Sequence, residues 1–137
     1  ILTYAESMVN AFNDVNYTDE TYKYSALWAI NEVRKNADMP LIPSMGKDEF
    51  MERLYNEWRV EFAFEDHRFW DVRRWKIADT TQRELYGVKI EKQADGTFNF
   101  YKNLYETRNW RDCMYLYPIP QSELYKNTNL NPQNAGW

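Results

Sequence analysis

A mainly α-helical fold, ending in a small β-hairpin and an irregular C-terminal tail, is what this sequence predicts, on three observations. Apolar residues recur at helical spacing through residues 1–78. Alternation with a period of two flanks Asp95–Gly96. The last eleven residues, NTNLNPQNAGW, are polar and rich in turn formers. The expected organisation is therefore one body in two stretches, 1–78 helical and 79–137 hairpin plus wrapping tail.

The elements follow in order. Ile1, Ala5, Met8, Val9 and Phe12 share one face, which predicts a helix over Ile1–Asn13. Thr18 or Asp19 is placed to cap a second helix carrying Tyr22, Ala26, Ala29, Ile30, Val33 and Ala37. That helix ends in NADMP, since Pro40 disfavours helical geometry in the residue before it. Two helices joined by a short loop form an αα-hairpin, the unit of helical solenoids. A third helix begins near Lys47 or Asp48; Phe50, Leu54, Trp58 and Phe62 recur every fourth residue, and Asp66–His67 mark its end. A fourth, over Arg68–Ala78, groups Phe69, Val72 and Trp75. Gly87–Lys92 and Thr97–Lys102 read as the hairpin strands, and Cys113–Tyr117 as a further strand or an extended segment running into Pro118–Ile119–Pro120.

Composition excludes some functions. The net charge is −4 with no block of basic residues, so the chain lacks the stripe that neutralises phosphates, and nucleic acid is not an expected partner. No run is long and apolar enough to cross a membrane. Cys113 is alone, which rules out an internal disulfide and a thiolate metal site. The chain opens on ILTYAESMVNAF, with neither a basic n-region nor an apolar h-region. Residue 1 therefore reads as a cut end, with Ile1, Ala5, Met8 and Phe12 expected to lack full cover from this chain. There are 6 Trp, 11 Tyr and 7 Phe, which serve either to fill a core or to stack on a ligand.

The ionisable groups concentrate in Glu57, Arg59, Glu61, Glu65, Asp66, His67, Arg68, Asp71, Arg73 and Arg74. Glu57, Glu61 and Glu65 form an i,i+4 ladder of like charge that needs partners, and Arg68, Arg73 and Arg74 are near enough in the chain to supply them. A structural ion-pair network joining the third and fourth helices is the expectation. Glu61 and Glu65 would project from one helix face, so they could not flank a glycosidic bond as hydrolysis requires. His67 and Asp71 form no metal motif, having no second histidine. No nucleophile motif and no glycine-rich phosphate loop is present, so neither catalytic residues nor a cofactor is expected.

Three stretches resemble one family in the right order. Arg59, Glu61-Phe62-Ala63-Phe64-Glu65, Arg68-Phe69-Trp70-Asp71 and Arg73-Arg74-Trp75 resemble the signature of the SusD/RagB nutrient-binding lipoproteins. NEVRKNADMP resembles that family's helix-ending segment, and YPIPQSELYKNTNLNPQNAGW its C-terminal tail. Two departures stand out: Trp58 replaces the family's first arginine, and Asp66 replaces a glycine expected in the left-handed conformation.

The resemblance implies a SusD-like fold of tetratricopeptide-like helix pairs, of which this chain would be the C-terminal part. It implies a surface-exposed outer-membrane protein that captures oligosaccharides, or in some members peptides, without catalysis. Its partner would be a SusC-like TonB-dependent transporter, and its membrane attachment a lipid anchor in an N-terminal region outside this sequence. The alternative is a purely structural region that packs against the transporter while ligands bind elsewhere; a glycoside hydrolase is the distant third reading. No ligand residue carries over by position, so Trp110, Tyr101 and Tyr105 stand as candidates on ring chemistry alone. Exposed, coplanar rings there would favour a sugar platform, and buried ones a scaffold.

Overall fold

The computed structural model describes residues 1–137, which separate into two compact units, Ile1–Arg68 and Phe69–Trp137.

The first unit holds α1 (Leu2–Phe12), α2 (Ala26–Asn36) and α3 (Lys47–Glu61). α1 packs against both of the others, burying Ala5, Met8 and Val9 alongside Ala29, Ile30, Phe50 and Leu54. Of the apolar face expected on α1, Ala5 and Met8 are thus enclosed, Phe12 stacks on Tyr17 at 3.8 Å, and Ile1 remains 67% exposed. α1 ends at Asn13 in the left-handed conformation, which Asn tolerates better than most residues.

α2 begins later than predicted. The Asp19 carboxylate accepts hydrogen bonds from the Thr21 and Tyr22 amides at 2.8 and 2.6 Å, closing a side-chain turn that competes with helix. Those amides, Tyr22 foremost, together with the Tyr17 hydroxyl, hold the Asp19 carboxyl below the usual carboxylate range. Ser25 is the actual cap, accepting from the Trp28 amide at 3.0 Å. At its far end, Met39 N–H donates to the Arg34 carbonyl and Asp38 N–H to that of Lys35, with Asp38 at φ 54°. This is a Schellman closure with Asp at the position glycine favours.

α3 stops at Glu61, earlier than its apolar repeat indicates. Phe64 and Asp66 take left-handed φ of 64° and 60°, turning the chain into α4 (His67–Arg74). The left-handed geometry expected at Asp66 is present, and a fully exposed Phe64 shares it.

In the second unit, α4 closes with Lys76 at φ 59°, Lys76 N–H donating to Arg73 and Ile77 N–H to Val72. The helix predicted to reach Ala78 is thereby cut short, and a single turn, α5 (Ala78–Thr81), follows. β1 (Glu84–Lys92) and β2 (Phe98–Thr107) pair antiparallel and run longer than predicted. Asp95 closes their turn by accepting from the Thr97 hydroxyl and amide at 2.7 and 2.9 Å, contacts that lower its carboxyl pKa. The register skips Tyr105, a one-residue bulge. One hairpin face carries Tyr86, Val88, Ile90, Phe98, Phe100 and Leu104, all exposed.

Cys113–Tyr117 is not a strand. Asp112–Tyr115 forms a 3-10 turn, and the Trp137 indole donates to the Cys113 and Leu116 carbonyls at 3.0 and 3.1 Å. Gly136 makes that approach possible, because a Cβ there would lie 2.8 Å from the Cys113 Cβ. The tail also holds a short helix, α6 (Gln121–Lys126), which the sequence reading passed over. Its return path is fixed by Gln133, whose amide brackets the Ile119 backbone at 2.7 and 2.8 Å.

An aromatic and cationic cleft in the second unit

The signature residues divide by what they touch. Glu57 is buried and pairs with Arg34 of α2 at 2.7 Å; the same guanidinium donates to the Pro40 carbonyl through Nε. This corrects the expectation that Glu57 leans on arginines downstream. Arg34 lies on the preceding helix, α2, whereas α3 ends before Glu65 can continue the ladder. Arg59, Glu61 and Glu65 are exposed, and Arg68 is half-buried. Glu61 on the last helical position and Glu65 in the turn beyond it do not form a carboxylate pair on one helix face.

Asp71 is buried and receives Arg74 at 3.1 Å. Arg73 donates to the Phe69 and Met114 carbonyls at 2.8 and 3.2 Å and lies 3.6 Å from the Phe69 ring centre. It therefore ties α4 to the 3-10 turn through its bond to the Met114 carbonyl, while its contacts with Phe69 lie within α4. Trp75 is half-buried, with the Arg74 guanidinium 5.0 Å from its ring.

Trp110 is half-buried, packs edge-on to Tyr115 at 5.0 Å, and has a buried indole N–H with no hydrogen-bond partner. Tyr101 and Tyr105 lie on β2, Tyr105 at the bulge and 79% exposed. The three candidates do not gather into one platform: Trp110 packs on Tyr115, and no ring contact joins it to Tyr101 or Tyr105.

Rings that the sequence reading passed over do gather. Phe69, Trp70 and Tyr117 form a splayed cluster with centroids 5.0 to 6.2 Å apart, Trp70 and Tyr117 each 58% exposed. Trp70 and Tyr117 line a cleft of about 420 Å³ with Arg73, Arg74, Lys76, Tyr115 and Leu116. That volume lies in the range of small-molecule sites. Phe69 and Trp70 lie about 100° round the helix from one another, and α4 buries the neighbouring Asp71 and Val72 instead. Tyr115 donates to Asp79 at 2.8 Å, and burial together with that bond raises its phenol pKa. Further round the unit, Asp79, Thr80, Arg83, Glu84, Trp110 and Asp112 line a second, more polar cleft of about 460 Å³. No group of three or more His, Cys, Asp or Glu is placed to hold a metal.

The sequence profile of the SusD family matches residues 1–137. The chain belongs to the SusD family. A SusD-like protein P2 of Formosa agariphila is 31% identical over 99% of this chain and 25% of its own length. A crystal structure of a SusD-like protein from Bacteroides fragilis superposes with a TM-score of 0.75 at 32% identity, over 99% of this chain and 24% of that one. The chain thus spans about a quarter of the length of the SusD relatives it matches. The mainly α fold, with tetratricopeptide-like helix pairs and a small hairpin, is the SusD-like fold expected from the motifs.

Proposed function

We propose that the chain is the C-terminal part of a nutrient-binding protein that captures oligosaccharides at the outer membrane and does not catalyse their breakdown. The observation that carries this reading is the SusD family match across residues 1–137. The cleft between Trp70 and Tyr117 adds to it, because flat rings beside hydrogen-bond donors suit the alternating apolar and hydroxyl faces of a sugar. On this reading the captured glycan passes to a SusC-like TonB-dependent transporter, and the protein stands on the cell surface. No helix is long and apolar enough to cross a membrane.

Isothermal titration of the full-length protein against oligosaccharides and peptides tests the reading; saturable heat with at least one glycan is expected, and silence across both panels sinks it. A second reading, a purely structural region, draws on the exposed apolar face of the hairpin and on Phe64. It predicts that glycan affinity is unchanged by Trp70→Ala and Tyr117→Ala, whereas a cleft that binds glycan loses affinity with either.

A further inference from the structure

The Trp70–Tyr117 cleft is lined by three cations, Arg73, Arg74 and Lys76, and by no carboxylate, in a chain whose net charge is −4. Two acids outside the lining bond to residues of it: Asp71 holds Arg74, and Asp79 accepts from the Tyr115 hydroxyl. Two of the cations have structural explanations. Arg73 and Arg74 occupy the last turn of α4, where positive charge is favoured by the helix dipole, and both have partners within the unit.

Lys76 shares the favourable position at the helix end but adds a feature the other two lack. It sits just past the helix end at φ 59°, in a closure where glycine is the cheapest residue. A lysine held there is in a sparsely populated backbone region, of the kind that collects at binding sites. Its ammonium lies 4.9 Å from the Tyr115 ring centre, on the cleft wall, with an exposed side chain and no carboxylate bonded to it. The arrangement is therefore two splayed aromatic rings with a positively charged floor.

Resting on the glycan-capture reading, we propose that this cleft takes an acidic saccharide, one whose sugar carries a carboxylate or a sulfate ester. The sugar ring stacks against Trp70 and Tyr117, and its anionic group pairs with Lys76. A neutral sugar of the same length would make the stacking contact and leave the ammonium unused.

The test is isothermal titration of the full-length protein with three tetrasaccharides: maltotetraose, tetragalacturonate and a κ-carrageenan tetrasaccharide. At least one acidic probe binds tenfold or more tighter than maltotetraose, and its affinity falls as NaCl rises from 50 to 300 mM. The two acidic arms tell carboxylate from sulfate. Lys76→Gly suits the backbone and so keeps the fold by circular dichroism, yet lowers acidic-probe affinity about tenfold and leaves maltotetraose unchanged. Equal or tighter binding of maltotetraose overturns the charge preference while the capture reading stands. So does a folded Lys76→Gly protein with undiminished acidic-probe affinity. Silence from all three probes overturns the charge preference; the capture reading falls only with the wider panel of glycans and peptides.

Discussion

Residues 1–68 and 69–137 are stabilised in different ways. Twelve of the fifteen buried hydrophobic residues belong to the first unit, where three helices enclose Ile30, Phe50 and Leu54 completely. The second unit buries only Val72, Ala78 and Leu124 among its apolar side chains, although it carries an aromatic hairpin and the Phe69–Trp70 pair. Its chain is tied by directional contacts instead: Arg73 on the Met114 carbonyl, Gln133 on Ile119, Trp137 on Cys113. Apolar burial is non-directional and scales with area, so it stabilises without fixing a surface. Hydrogen bonds contribute less each but fix orientation, which leaves rings free to face outward. The family's signature stretch crosses the boundary between the units: Arg59, Glu61 and Glu65 before it are exposed, whereas Asp71 and Val72 beyond it are buried.

The sharpest way to break this contrast is to excavate each side. Phe50→Ala should cost about 3–5 kcal/mol by urea denaturation, because a fully buried ring leaves a cavity. Phe100→Thr on the open hairpin face should cost less than about 0.5 kcal/mol. Similar losses from the two would show that the hairpin face is as much a core as the helices.

Next in size is the Arg34–Glu57 pair, whose side chains are only 17% and 7% exposed. Glu57→Ala leaves a guanidinium largely buried beside an apolar gap and should cost about 3 kcal/mol. The double variant Arg34→Met with Glu57→Leu should be less destabilised than either single change. Simple additivity in that cycle would mean the two charges act independently.

A smaller effect of opposite sign is expected at Asp38. Its φ of 54° is one that glycine adopts without penalty, so Asp38→Gly should raise stability by roughly 0.5–1 kcal/mol. Loss of stability would mean that the carboxylate contributes more than its backbone strain costs. The smallest effect concerns the Asp95 turn. Its folded pKa is depressed by the Thr97 hydroxyl and amide, so its contribution is present above the unfolded value of about 3.9 and disappears as pH falls through the folded one. Thr97 amide exchange, corrected for intrinsic rate, should lose protection as pH drops from 6 to 3 in wild type but not in Asp95→Asn.

Much of the fold was legible because its signals are local. The stripe Phe50–Leu54–Trp58 declared α3, Asp95–Gly96 declared the hairpin turn, and the resemblance at Asp66 anticipated a left-handed residue. The misreadings at Thr18–Tyr24 and Cys113–Tyr117 have one cause: side chains there satisfy backbone groups that a helix or strand would otherwise use. For Asp19 the competitor is two residues away; for Cys113 it is Trp137, 24 residues along the chain.

The sequence by itself determined the four longer helices, the hairpin and membership in the SusD family, since periodicity and motif order survive without knowing what packs on what. Only the tertiary structure decided that Glu57 turns back to Arg34 and that Trp70, Lys76 and Tyr117 line one cleft. Charge partners and clefts arise from chain segments that return from a distance, and a linear pattern holds no record of which segments meet.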